Sequence, residues 1–378
     1  MKSSAGVLHL SLGVLLGFAA AAPPEAQAEI RASSKRSLGS KVNGVKGGSC
    51  NKGRCRISGG QRAGKNLFHR FRDFDTRGAI RDVRFQTGKA KNLFVGVTSP
   101  LGSFIDKRIA LSSKANLFWL SPGGMVLGSG ADFVNTPQLQ LSTAGKLNFD
   151  AGQFDVFSSS ADDLALLRGE PLPGALGLQA TPQLESDAGL LPGIHLNGIN
   201  ISIDDDLLID APGGQVAVEN STLSVSAEEG VGGTLMLTGE QIEIDGNSQF
   251  LATGPEGGGL IQVGGSWQNS DPSVRQSVKA TVESGAVLDA SATDIGNGGE
   301  IVVWSDITNP DAVTSVAGSL SVEAGIAGGD GGRIETSGAD LDIAGVDVST
   351  FSPTGENGLW LLDPTDYIIG EDAATAIG

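Results

Sequence analysis

The sequence predicts an all-β chain wound as a parallel β-helix, a solenoid. Three observations carry this. Outside the first 28 residues, no stretch of 12 or more residues free of Gly and Pro carries the i, i+3, i+4, i+7 apolar spacing of a helix. Period-two alternation is common instead, as in Leu196–Ile203, Gln215–Val218, Thr222–Ser226, Thr234–Leu237, Gln241–Ile244 and Ser319–Val322. A Gly-rich break followed by a strand then recurs before Thr234, Leu260, Glu300, Arg333 and Leu359, at intervals of 26, 40, 33 and 26 residues. An imperfect period of this size with two or three short strands fits one coil of a β-helix better than a four-stranded propeller blade. At 25 to 29 residues per coil the chain would make about 12 to 14 coils, a rod about 60 Å long.

The first element is not part of the fold. Lys2, an apolar run from Val7 to Ala22 and the small-x-small site Ala26-Gln27-Ala28 read as a signal peptide over 1–28, cleaved between Ala28 and Glu29. The run is about 16 residues, short of the roughly 20 that cross a bilayer. The mature chain is therefore expected to be exported. In an oxidising compartment Cys50 and Cys55, the two cysteines of the chain, are expected to pair across the Asn-Lys-Gly-Arg turn between them. No metal site or cofactor is expected, since the nearest other ligand is a lone His69.

Charge is divided along the chain. Glu29 to Lys114 holds 20 Lys/Arg and 5 Asp/Glu, a net of +15, whereas Ala115 to Gly378 holds 5 and 37, a net of −32. The basic residues are spread among Gly, Ser and β-type segments and form no nucleic-acid motif, so no nucleic-acid partner is expected. The same basic region repeats Asn-Leu-Phe at Asn66, Asn92 and Asn116, spacings of 26 and 24, and 11 of the 14 Phe lie between Phe68 and Phe157. This predicts coils with an aromatic stack, Asn at the corner and Leu or Phe pointing inward. Ser158 to Gly193, with Pro171, Pro173, Pro182 and Pro192, breaks the pattern and predicts an extra-helical loop or a short helix.

The segments Ile57-Ser58-Gly59-Gly60, Ala63 to Phe71 with Asn66-Leu67-Phe68, and Ala115 to Gly128 with Asn116-Leu117-Phe118 and Ser121-Pro122-Gly123-Gly124 resemble the secretion domain of filamentous haemagglutinin-type, two-partner secretion exoproteins. The resemblance continues through Leu141 to Ala144 and Gly152 to Phe154, covering roughly residues 45–178. The blocks AVLDASA, GGEIVVWSD, GGDGGRIETSG and GLWLLDP are similar to repeats that follow this domain in large exported adhesins. The resemblance implies a right-handed parallel β-helix with an amino-terminal capping and secretion region. It also implies recognition in the periplasm by an outer-membrane β-barrel transporter, and release outside the cell or onto its outer surface, where the chain would serve in adhesion to a host or neighbouring-cell surface or a glycan. The family's usual Asn-Pro-Asn-Gly turn is here Ser-Pro-Gly-Gly, which keeps the Pro-Gly geometry and lacks both Asn side chains. The expected organisation is a secretion domain over 29–178, a Pro-rich loop over 179–195, and repeats over 196–378 that stop without a polar cap and read as truncated.

A catalytic alternative is a β-helical enzyme acting on polysaccharide, or a polysaccharide-binding protein. Asp204, Asp205 and Glu219 are its best carboxylates, in unrelated contexts. His69 and His195 are 126 residues apart with no nucleophile frame. The expectation is therefore no enzymatic activity, with Asp204-Asp205-Asp206 a solvated turn, the glycine-rich Gly328 to Gly332 a corner, and His69 a structural corner residue.

Overall fold

The structure, a computed structural model, describes residues 28–34, 38–158, 163–171, 178–179 and 191–364. The signal-peptide reading falls on residues outside these, up to Ala28, as do most of the Pro-rich loop and the last 14 residues. The described chain is a parallel β-helix with three faces. The first face stacks ten strands in parallel register: Asn66–Asp75, Asn92–Val97, Asn116–Leu120, Gln138–Ser142, Asp206–Glu219, Thr234–Ile244, Leu260–Val263, Glu300–Trp304, Arg333–Gly338 and Leu359–Pro364. The second runs from Ser103–Ile105 through Met125–Leu127 and Leu191–Asn197 to Asp340–Asp342. The third is made of Gly53–Gly59, Ile80–Phe85, Arg108–Leu111 and Asp132–Val134, followed by six short strands from Asn200–Ser202 to Asp347–Ser349.

Register explains the interior. Leu67, Leu93, Leu117, Leu139, Leu207, Leu235, Ile261, Ile301 and Ile334 occupy one column, each buried, because in-register parallel stacking brings equivalent positions of every coil together. In the amino-terminal coils this interior also holds Phe71, Phe74, Phe85 and Trp119, with Phe74 edge-on to Trp119 at 4.5 Å between centroids.

Two expectations need correction. The described residues make ten first-face strands, about 43 Å of stack, instead of 12 to 14 coils. The cause is uneven coil length: Gln138 is followed in register by Asp206, and Leu260 by Glu300, and described residues between them, such as Lys146–Phe149 with Gly152–Asp155 and Trp267–Asn269, form lateral excursions instead of further coils. Leu196–Ile203 is also not one strand. It breaks at Gly198, whose φ of +66° makes the corner between Leu191–Asn197 and Asn200–Ser202.

The first coil would present an open edge, and short antiparallel strands cover it. Ile30–Ala32 pairs with the end of Asn66–Asp75, Gln61–Ala63 with its start, and Ser40–Val42 with Gly53–Gly59. Cys50 and Cys55 form a disulfide within this cap, Cα atoms 5.8 Å apart, both buried.

Candidate functional site

The three Asn-Leu-Phe tripeptides lie in exact coil register, Asn66 beside Asn92 beside Asn116. The Asn side chains form a ladder: the Asn92 amide donates to Asn66 Oδ1 at 2.8 Å and the Asn116 amide to Asn92 Oδ1 at 3.2 Å. Asn66 ends the ladder by donating to the carbonyls of Leu167 and Gly169, 2.9 and 2.7 Å away, and Asn92 donates to Glu170. Asn66 is completely buried, so its amide needs these acceptors. The ladder stops in the next coil, where Gln138 stands at the Asn register.

Leu67 and Leu117 point into the helix as expected, but Phe68 and Phe118 do not. Successive residues of a strand face opposite sides, so Phe68, Phe94 and Phe118 stack on the outside of the first face, centroids 4.7 Å apart at both steps. A lateral antiparallel sheet covers them, formed by Lys146–Phe149 and Gly152–Asp155 with Leu178–Gln179 at its edge. It lays Phe149 and Phe154 against the stack, 5.9 and 5.3 Å from Phe68. The 3₁₀ turn Asp163–Leu166 closes this second core with Leu164 and Leu167. Gly96 leaves little room here, because a Cβ on it would stand 3.1 Å from the tip of Phe154 and 3.3 Å from Val156. Arg70, buried on the same side, donates to the Asp155 carbonyl at 2.8 Å and lies over the Phe154 ring.

Ser121-Pro122-Gly123-Gly124 is a turn closed by the Gly124 N–H on the Ser121 carbonyl at 2.9 Å, with Gly124 at φ +95°. Sequence reading missed its twin one coil earlier, Ser99-Pro100-Leu101-Gly102, closed the same way at 3.0 Å; the shared Ser-Pro-x-Gly pattern at a spacing of 22 was the available signal. The turns are in backbone contact: a Cβ on Gly123 would stand 2.3 Å from the Ser99 carbonyl oxygen. A buried relay ties them to the core, Trp119 Nε1 donating to Ser103 Oγ at 3.1 Å, Ser103 to Ser121 at 2.9 Å, and Ser121 to the Gly124 carbonyl at 2.8 Å. Ser121, Pro122 and Gly124 are buried and Gly123 half-buried.

His69 is not a corner residue. It sits inside the strand Asn66–Asp75, fully buried among Phe71 and Phe85, with Nδ1 3.0 Å from Ser40 Oγ and no hydrogen-bond partner for Nε2 among the described residues. Burial lowers its pKa to about 3. In the unfolded chain the imidazole takes a proton near 6.5, so His69 removes stability as pH falls from 6.5 toward 3. Relative to a His69→Gln variant, the native chain should lose about 2 kcal/mol between pH 7 and pH 5. Urea midpoints at both pH values check this, and an unchanged difference would refute it.

The candidate catalytic groups are not brought together. Asp204 and Asp205 lie on the turn entering the first face, Asp204 paired with Lys114 at 2.8 Å. Glu219 ends the long strand Asp206–Glu219 on the second face, where it accepts from Asn197 at 2.7 Å. His195 is exposed on that second face, away from the buried His69. No cluster of three potential metal-ligating residues occurs among the described residues.

Two buried carboxylates went unnoticed in the sequence. Asp210 accepts from Thr238 Oγ1 at 2.7 Å, Ser142 Oγ at 3.0 Å and Arg275 Nε at 3.1 Å. Glu335 accepts from the Gln268 N–H at 2.7 Å and from Ser337 Oγ at 3.0 Å. Burial raises the pKa of both, against the pull of their donors. Arg275 and Gln268 belong to the polar insertion after Leu260–Val263. That insertion thus lies back across five first-face strands, from Asp210 to Glu335, with Gly265 against the Trp304 ring.

The described residues thus define a capped parallel β-helix with register-matched Asn-Leu-Phe coils and a lateral sheet. The chain belongs to the TPS secretion domain family, the two-partner secretion domain, which matches residues 37–294. It is therefore a two-partner-secreted exoprotein, exported across the outer membrane, and the family implies an outer-membrane transporter as partner. It is also similar to the crystal structure of the HMW1 secretion domain from Haemophilus influenzae, at 15% identity and a TM-score of 0.36, covering 86% of this chain and 100% of that one. No curated protein matches the sequence.

Proposed function

We propose that the chain is an exported adhesive exoprotein, addressed to a dedicated outer-membrane β-barrel transporter by the region that carries Asn66-Leu67-Phe68, Asn116-Leu117-Phe118 and Ser121-Pro122-Gly123-Gly124. The family match over 37–294 is the observation that carries the reading. Burial of nearly all these side chains in the folded helix supports their being read before the coils close, while the chain is still extended in the periplasm. Each coil contacts mainly its neighbours, so coils can form one after another as the chain emerges, and stacking outside the cell would draw the rest outward. The disulfide closes a loop of only five residues' separation, small enough not to obstruct threading.

Fractionation of cells expressing the chain with and without a matching transporter tests this, with mass spectrometry of the amino terminus in each fraction. A chain beginning at Glu29, outside the cell only when the transporter is present and conferring attachment there, is the expected result. Retention in the periplasm in both cases overturns it.

A further inference from the structure

The third face begins as a basic sheet. Among its outward residues in the first coils are Lys41 and Lys46 in the cap hairpin, Arg54 and Arg56 in Gly53–Gly59, Arg84 in Ile80–Phe85 and Arg108 in Arg108–Leu111. Two of these have carboxylate partners: Arg54 pairs with Asp82 at 2.5 Å and Arg108 with Asp132 at 3.4 Å. The other four have none within 4.0 Å among the described residues. Arg56 lies directly beside Arg84 in parallel register, and Lys41 directly opposite Lys46. Strands about 4.8 Å apart therefore hold two like-charged pairs side by side. Such pairs destabilise a sheet, and no described contact of the fold compensates them.

We infer that this face binds a linear anionic polysaccharide. A patch of guanidinium and ammonium groups, the Arg56–Arg84 pair on one register line and the Lys41–Lys46 pair on the neighbouring line that passes through Ser58, matches an extended chain bearing sulfate or carboxylate groups, and Arg56 and Arg84 offer planar donors that grip such groups in bidentate fashion. The face carries no outward aromatic in these coils, since Phe85 and Phe133 on its strands are both buried, so it lacks the stacking platforms with which proteins hold single-stranded nucleic acid. A second copy offers no matching surface on the same sheet: farther along, the third face shows mostly Asn, Ser, Thr and Gln, with Asp289 and Asp347 its only carboxylates. The inference rests on the adhesive reading above and supplies that reading with a ligand.

The test is titration of the mature chain with dextran sulfate, polygalacturonate and uncharged dextran. Binding to at least one polyanion and not to dextran is expected, weakening as salt rises from about 0.05 to 0.3 M. The double variant Arg56→Ser/Arg84→Ser should lose at least about tenfold in affinity while melting no lower than the native chain, because a like-charge pair has been removed. A control, Lys107→Ser/Lys114→Ser, lowers net charge equally through residues already paired with Asp106 and Asp204, and should stay within about twofold. Equal affinity of the Arg variant and the native chain overturns the inference, as does no binding to either polyanion. Tighter binding of a charge-matched oligonucleotide, or salt-sensitive self-association abolished by the Arg variant, also overturns it. Export and attachment that persist in the Arg variant would leave the proposed function standing and remove this ligand alone.

Discussion

Phe94→Ala is expected to cost about 3–5 kcal/mol and to release the lateral sheet from the helix. Phe94 is the middle ring of the outer stack, 4.7 Å from both Phe68 and Phe118, and Phe149 packs against it at 5.2 Å. It is fully buried, so truncation leaves a cavity bounded by aromatic rings that stacking on coil backbones keeps from collapsing. The loss should be uneven. The inner column beneath, Leu67, Leu93 and Leu117, is untouched, whereas Lys146–Phe149 and Gly152–Asp155 lose the surface on which they rest. Limited proteolysis should therefore cut between residues 145 and 171 while the coils remain protected, and urea unfolding should depart from a single transition. Phe94→Leu should recover more than half of the loss. A destabilisation below about 1 kcal/mol would show that the outer stack carries little of the stability.

The same region shows what was legible in the sequence and what was not. Period and register were legible because a β-helix writes its coil length into the spacing of equivalent residues, and Asn66, Asn92 and Asn116 do fall side by side. Which way Phe points was not. Alternation puts Leu67 and Phe68 on opposite sides and does not say which side is the interior, since here both sides are covered. The cover is made by Lys146–Phe149, Gly152–Asp155 and the turn Asp163–Leu166, and its pairing to the helix is set by contacts across some 80 residues, such as Asn92 to Glu170. Asp210 and Glu335 were hidden for a related reason: a carboxylate in a strand reads as an outward, solvated residue, and only the fold-back of the insertion buries it. Arg56 and Arg84 looked like dispersed charge because their adjacency exists only across strands.

Asp210→Ala is the second large effect expected, about 3–5 kcal/mol, because it removes the shared acceptor of a charged and two neutral donors. Arg275, about a third exposed, keeps partial hydration, while Ser142 and Thr238 lie at zero exposure and lose an acceptor. Asp210→Asn retains an oxygen for the two hydroxyls and should cost less, about 1–2 kcal/mol. The comparison also fixes the sign of a pH effect. Burial holds the folded pKa of Asp210 above its ordinary 3.8, outweighing Arg275, Thr238 and Ser142, so between those two values the native state holds a proton that the unfolded chain has released. Its contribution to stability is full below 3.8 and declines as pH rises through the folded value, opposite in direction to that of His69. Native-minus-Asn stability, measured by urea unfolding from pH 3 to 8, should therefore fall with rising pH and then level off. A difference that rises with pH would mean that the Arg275 ion pair outweighs burial. Protease access to residues 266–278 separates the local consequence: Asp210→Ala loosens the Arg275 end of the insertion by removing one of its contacts, whereas its other end stays tied by Glu335 to the Gln268 backbone. Cleavage should consequently appear near Arg275 and not near Trp267, whose ring is held under Arg333.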